Sequence, residues 1–466
     1  MYRAILAFGL ILLPDYASVR ADDAVQLADV TALQAAMQNA IERAEPSIAC
    51  ILVSRNDSKQ EFRPEDRTFV PEMYGSGVVI DPQGLVLTNE HVVHGSHRIY
   101  IRLPGDKASY ASIWASDQRS DLAVLKLETS LPGLKAIPLG RGEKVRKGQF
   151  VLSLANPFAA GFRDGSPSAS WGIVSNLRRR SPLSSAREEP RSDKPLSQFA
   201  MLIQTDARLN LGCSGGALIG LDGKLVGLTT ALAALNGSET PGGFALPIDA
   251  AVRGIIEKLR RGEEVEYGFL GVWFPERAFH RGPGVLIQNL VAGGPAENGG
   301  MRNDRGGCVI LSIDDIRVHD QAELSFIIST RPPSTAVKIE WQPGIGGNST
   351  VSHVTLGKMY MPPERYFASK RPPAVGGIRV DYATTLASLF ANPWRVVPIP
   401  RGVAIRELDP KSAADTAGLS VDCVITHVNG ERVETPAEFY AAAAAAKGIL
   451  RLTIHGRAET IQLDPR

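Results

Sequence analysis

The chain has 466 residues, 44% of them hydrophobic and 21% charged, which is enough for about three domains with a buried core each. A formal charge of +2 calls for neither nucleic acid nor an acidic membrane as a partner. The four cysteines, Cys50, Cys213, Cys308 and Cys423, stand far apart and form neither a disulfide framework nor a metal-ligand spacing, so no metal and no cofactor are expected.

The first elements concern export. Arg3, the apolar run Ala4 to Leu13 and the small-residue context Val19-Arg20-Ala21 read as a signal peptide over 1–21. Ten apolar residues are too few to span a bilayer as a helix, so the address expected is periplasmic or secreted. In the segment 22–47, Leu27, Val30, Leu33, Met37 and Ile41 recur at helical spacing until Pro46. Whether this helix packs on the following domain or on a neighbouring subunit stays open.

From Ile48 the texture changes to short β-rich runs separated by Gly, Pro, Asp and Asn turns, which over 48–262 predicts a pair of β-barrels. The predicted strands are Ile48–Val53, Gly77–Ile80, Leu85–Thr88, Ile99–Leu103, Leu122–Leu127, Phe150–Leu154, Gly172–Val174, Ala200–Thr205 and Leu225–Leu228. Three segments among them carry side chains that form a nucleophilic set: Thr88-Asn89-Glu90-His91-Val92-Val93, Ser120-Asp121-Leu122-Ala123-Val124-Leu125 and Leu211-Gly212-Cys213-Ser214-Gly215-Gly216. A serine hydroxyl is a poor nucleophile at neutral pH; it needs an imidazole to take its proton and a carboxylate to hold the imidazole's tautomer. The chain order His, Asp, Ser is that of two-barrel serine proteases. Gly212, Cys213 and Ser214 form the candidate oxyanion turn, with the N–H groups of Gly212 and Ser214 as donors and Cys213 contributing mainly backbone. Asp117 is a rival carboxylate, less favoured because the apolar run starts directly after Asp121. Cys213 is disfavoured as a nucleophile beside a serine at the expected position. His91, His94 and His97 lack the accompanying ligands that would make them a metal site.

These strings, together with Gly75-Ser76-Gly77-Val78-Val79-Ile80-Asp81, Ala155-Asn156-Pro157-Phe158 and Ile203-Gln204-Thr205-Asp206-Ala207, resemble the HtrA/Deg family of periplasmic serine proteases. The resemblance implies a trypsin-like domain followed by PDZ domains, with His91 as general base, Asp121 as its orienting carboxylate and Ser214 as nucleophile. It also implies trimers or multiples of them, and substrate running as an added strand beside Leu228-Thr229-Thr230, with Leu211 shaping the pocket for the residue before the cut. Cys213 and Ala217 stand where the family usually has Asn and Pro, and Ala155 where it usually has Gly.

The last 200 residues contain a degenerate repeat. Val285 to Leu290, Gly294 to Met301 and Cys308-Val309-Ile310 are echoed by Val403 to Leu408, Ser412 to Leu419 and Cys423-Val424-Ile425. Both copies resemble PDZ domains, placed at 263–358 and 375–466, with a Pro-rich linker at 359–374. A PDZ groove takes a chain end by strand addition, with a glycine-containing loop holding the carboxylate; Gly268-Phe269-Leu270-Gly271-Val272 matches such a loop, and Gly376-Gly377-Ile378-Arg379-Val380 does so more loosely. The whole predicts a mostly β, chymotrypsin-like double barrel with two α+β PDZ modules: an exported serine endoprotease for unfolded or misfolded proteins, with C-terminal peptides bound at the modules. The alternatives are a non-cleaving holdase chaperone and a PDZ scaffold whose protease domain is structural.

Overall fold

The computed structural model describes residues 27–55, 62–66, 68–179, 202–230, 242–275, 282–303, 307–344, 347–388 and 398–465. The segment expected to direct export lies outside them. Helix α1 (Leu27–Ala44) runs into a single tight turn at Glu45–Ser47, where Pro46 stops it. Its last turns are the anchored part: Ala40 and Ala44 are fully buried, Met37 and Ile41 pack on the core, and Arg43 donates to the Leu221 carbonyl. Val30, nearer its start, is half exposed.

The first barrel is built from β1 (Ile48–Ser54), β2 (Met73–Asp81), β3 (Leu85–Thr88), β4 (Arg98–Leu103), β5 (Lys107–Asp117) and β6 (Leu122–Leu127), with a four-residue helix α2 (Glu90–Val93) between β3 and β4. The order β5-β4-β1-β2-β3-β6 closes through an additional β5–β6 pairing. The second barrel closes on β7 (Phe150–Ala155), β8 (Ser168–Arg179), β9 (Leu202–Thr205), β10 (Ala217–Ile219), β11 (Leu225–Thr230) and β12 (Gly243–Pro247). Helix α3 (Ala250–Arg260), N-capped by Asp249 onto the Val252 N–H, follows it. The continuous apolar runs have a physical reason: barrel strands are buried on both faces. In β1, Ala49, Ile51 and Val53 fill the first barrel, whereas Ile48 joins the core shared with the second, which contains Leu154, Leu228 and Leu246.

Two α+β modules follow. The first has a sheet of Val285–Ile287, Cys308–Ile313, Ala336–Pro343 and Thr350–Thr355 with helices Pro295–Asn298 and Gln321–Ser329. The second has Ile378–Tyr382, Val403–Leu408, Val424–Val428, Leu450–Ile454 and Thr460–Leu463 with helices Ala413–Thr416 and Pro436–Ala445. The sequence repeat is matched bond for bond. Ala296 N–H donates to Leu270 O as Ala414 N–H does to Gly376 O, and Val291 N–H donates to Gly271 O as Asp409 N–H does to Gly377 O. Asp320 caps the longer helix of the first module, and Thr435 caps that of the second with a full capping box.

The expected linker behaves otherwise. Tyr366–Ala368 forms a strand that pairs with the outer edge of β5, with Tyr366 opposite Asp117. A backbone edge left open by barrel closure is satisfied by strand addition, which ties the connector to the first barrel instead of leaving it as a spacer.

Candidate active site

Two of the three sequence segments meet at β2, and the third, which bears Asp121, joins the first of them at Asn89 to His91. Thr88 donates its hydroxyl to Ser76 O, and Ser76 N–H donates to Ser214 O at 2.8 Å. Gly75 permits the approach: a Cβ there would lie 2.5 Å from Val92 Cγ1 and 3.4 Å from Ser214 O. The helix bearing His91 and the loop bearing Ser214 therefore flank one glycine.

His91 Nδ1 lies 2.9 and 2.8 Å from the two carboxylate oxygens of Asp121, and the His91 N–H donates to Asp121 Oδ1 at 3.0 Å. Asp121 sits at φ +55°, a conformation short polar residues tolerate, and its carbonyl accepts from Glu90 N–H and Asn89 Nδ2. Asp117, the rival carboxylate, faces away from the imidazole into a bond with the Tyr267 hydroxyl. His91 Nε2 is buried with no hydrogen-bond partner among the described residues. Burial lowers the His91 pKa, but the charge and hydrogen bond of Asp121, helped by Glu90, outweigh it and hold the imidazole above its ordinary value. Glu90, held by His94 Nδ1 at 2.8 Å, is pushed up by burial.

The turn at Gly212 to Ser214 is held from several sides. Gly212 lies at φ +91°, its carbonyl accepts from Ser76 Oγ, and the Leu211 carbonyl accepts from Phe158 N–H. Among the described residues the Gly212 N–H serves no backbone carbonyl. Cys213 supports the turn and is not a donor to a developing oxyanion, because its N–H is taken by Asn210 O. Its thiol accepts from Asn210 N–H at 3.3 Å, and burial pushes that thiol above the ordinary range. Gly215, at φ +82°, has no room for a side chain between Ser76 O and Thr88 Oγ1.

Asn156 is a supporting residue that side-chain chemistry alone did not single out. Its N–H donates to Ser76 Oγ, its Nδ2 to Ala49 O, and its Oδ1 accepts from Gly161 N–H. The signal was present in the string Ala155-Asn156-Pro157-Phe158, where a buried amide beside proline needs fixed partners.

Of the residues expected beside a substrate, Leu228 and Thr229 need correction. Leu228 pairs with Ala217 on one side and Leu246 on the other, and Thr229 exchanges backbone bonds with Gly215 and Gly216 while pairing with Ala245, so neither has a free edge. Thr230 lies at the end of β11, with its hydroxyl buried and unpartnered among the described residues. The glycine-rich loop 236–243, which the family resemblance also places at the pocket, falls largely outside them.

In the first module Gly268–Phe269 pairs with Gly357–Lys358, Val272–Trp273 pairs with Asn289–Leu290, and Gly271 turns between them at φ +78°. Leu270 is buried in the module core. Phe269 packs with Leu386 and Ile399 of the second module, and Ile399 N–H donates to Ala292 O.

Residues 75–228 match the trypsin-like peptidase domain. The chain is 30% identical over 479 residues to the periplasmic pH-dependent serine endoprotease DegQ of Escherichia coli (strain K12), covering 98% of this chain and 97% of that protein. It is 31% identical over 386 residues to a probable periplasmic serine endoprotease DegP-like of Ectopseudomonas mendocina (strain ymp), covering 81% and 75%. Among solved structures, HtrA-type protease AlgW with tripeptide superposes with a TM-score of 0.52 at 27% identity, covering 70% of this chain and 98% of that one. With its closed double barrel and a histidine clasped by an aspartate beside a glycine-flanked serine, the chain belongs to the HtrA/Deg family and is a periplasmic serine endopeptidase.

Proposed function

We propose that Ser214 is the nucleophile, His91 the general base and Asp121 the group that fixes the His91 tautomer, in an endoprotease that cleaves unfolded or misfolded periplasmic proteins. Ser214 Oγ attacks the scissile carbonyl carbon while His91 Nε2 takes the hydroxyl proton. The C–N bond then breaks, His91 returns that proton to the departing amine, and water repeats the cycle on the acyl-enzyme. The N–H groups of Gly212 and Ser214 stabilise the oxyanion. The observation that carries this reading is the His91 ring, fixed through Nδ1 by both oxygens of Asp121 while Nε2 remains without a partner among the described residues.

Substrate range follows from backbone pairing, which is tolerant of sequence, with Thr230 and Leu211 at the cleft. The C-terminal modules, on this reading PDZ domains over 263–358 and 375–466, take peptide chain ends. Support comes from their duplicated bonding pattern around Leu270-Gly271 and Gly376-Gly377. Homo-oligomers are proposed as well; the exposed aromatic pair Phe150 and Trp171, with centroids 6.1 Å apart, offers an apolar contact on the second barrel.

Incubation with casein, beside the Ser214→Ala variant, tests the assignment. Cleavage by the parent should fall at least about a thousandfold in the variant. Suppressed aggregation with no cleavage by either protein would establish a holdase instead.

A further inference from the structure

The turn that carries Asp121 is held by a residue from outside the barrels. Asp117, the last residue of β5, is 1% exposed. Its Oδ2 accepts from Ser120 N–H at 2.7 Å and from the Tyr267 hydroxyl, and its Oδ1 is buried with no hydrogen-bond partner among the described residues. A carboxylate with one oxygen unsatisfied is an expensive way to close a turn, since a buried acceptor left unpaired bears the full loss of its hydration. A backbone turn or an Asn would close the same turn without a buried charge, so a carboxylate retained there calls for an explanation in what it does for the turn.

The turn is short and leads straight to the site. Asp121 N–H donates to Gln118 O, Gln118 N–H donates to Arg365 O of the connector, and Gln118 Nε2 lies 3.2 Å from His94 Nδ1. Four residues beyond Asp117, Asp121 holds the His91 ring. Tyr267 is fully buried, its ring lies under the Arg119 guanidinium at 4.8 Å, and its carbonyl accepts from Met359 N–H. It directly precedes Gly268–Phe269, the strand that opens the first C-terminal module.

We propose that Tyr267 is a positioning residue for peptide hydrolysis: its hydroxyl, acting through the Asp117 carboxylate, sets the turn that aims Asp121 at His91. The inference rests on the triad reading above. It makes the orientation of the general base depend on the segment that leads into the first module. A phenylalanine at 267 would fill the same volume yet take from the Asp117 carboxyl the hydroxyl that ties it to the segment entering the first module.

The test uses the full chain, a chromogenic peptide substrate and active-site titration with a fluorophosphonate, so that rates refer to competent sites only. Tyr267→Phe should lower kcat about tenfold with KM changed less than twofold. The acid limb of the kcat profile should also move to lower pH, because an Asp121 aimed less well supports the His91 proton less. Asp117→Asn removes the carboxylate through which the hydroxyl acts, and should lower kcat and move the acid limb in the same direction as Tyr267→Phe. The Tyr267→Phe, Asp117→Asn double variant should be no slower than the slower single variant, since the hydroxyl acts only through the carboxylate. If Tyr267→Phe accumulates poorly, 4-aminophenylalanine at 267, which restores ring and donor, should recover both yield and the parental acid limb. An effect on thermal midpoint with kcat and the acid limb unchanged would overturn the proposal, as would single-variant effects that simply multiply in the double variant. An inactive parent would instead refute the triad reading itself.

Discussion

Lys358 gives the sharpest stability prediction. Its ammonium lies 2.9 Å from Asp381, 3.0 Å from Glu264 and 3.6 Å from Glu266, and the side chain is 4% exposed. Arg406 completes the cluster, bonded to Asp381, to Glu264 at 3.1 Å and to the Tyr366 hydroxyl. The participants come from the protease-to-module connector, the end of the first module, the strand added to β5 and the second module, so the cluster joins four segments. Lys358→Met strips one of two cations from three carboxylates. Removing one partner of a buried pair costs about 3–5 kcal/mol; Glu264 and Glu266 retain some water, which favours the lower end, about 3 kcal/mol. For a unit of some 200 residues this corresponds to a fall of about 6–12 °C in the calorimetric transition of the C-terminal modules. Adding Asp381→Leu should recover part of the loss, because less uncompensated charge is left buried. Burial lowers the Lys358 pKa, but the three carboxylates outweigh it and hold it well above the usual lysine value. Its contribution is therefore complete below the unfolded lysine pKa and lost only as pH rises through the folded one, so scans at about pH 6 and pH 9 should show the same deficit for the variant. A midpoint within 2 °C of the parent, or a double variant less stable than the single, would refute the reasoning.

Three further outcomes are expected. Because the His91 imidazole is held above its ordinary value and the reaction needs it neutral, the acid limb of kcat/KM should lie above pH 6.5, the unperturbed imidazole value; Asp121→Asn should move it down and cost about 10⁴ in kcat, and a limb at or below the free imidazole value would contradict the assignment. The same shift means that the protonated ring stabilises the fold, a contribution present below the unfolded pKa and lost as pH rises through the folded one. Gly215→Ala would set a Cβ 2.1 Å from Ser76 O at φ +82°, with strain alone of about 1–3 kcal/mol and at least tenfold less activity, whereas Gly254→Ala, on the exposed side of α3 with nothing within 4 Å, should add about 0.5–1 kcal/mol in urea titration. Iodoacetamide should modify half-exposed Cys423 first and leave peptide hydrolysis intact, because burial pushes the Cys213 thiol up and that of Cys50 to about 12; inactivation tracking Cys213 modification by mass spectrometry would show otherwise.

Much of the site was legible without coordinates because its chemistry is local. The motifs around His91, Asp121 and Ser214 combine a reactive side chain with the glycines or β-branched neighbours that its backbone requires, and the apolar run after Asp121 told it apart from Asp117. Most barrel strands were equally plain, since double-sided burial writes an uninterrupted apolar string. Strand β5 was not, because Ala108-Ser109-Tyr110-Ala111-Ser112 alternates small and polar residues whose strand character comes from pairing with β4 and β6. Edge use was hidden for the same reason: whether Leu228 offers backbone to a substrate depends on Ala217 and Leu246 occupying both its sides, and Tyr366–Ala368 reads as linker until β5 presents an unpaired edge. Long-range polar pairing is the extreme case. Asp117 meets Tyr267, and Lys358 meets Glu264 and Asp381, through partners up to 150 positions apart. The sequence by itself determined which groups are the candidates for the chemistry and which strands are buried, because those depend on residue type and near neighbours; only the tertiary structure decided which buried charges face one another, because that is set by how barrels, connector and modules dock.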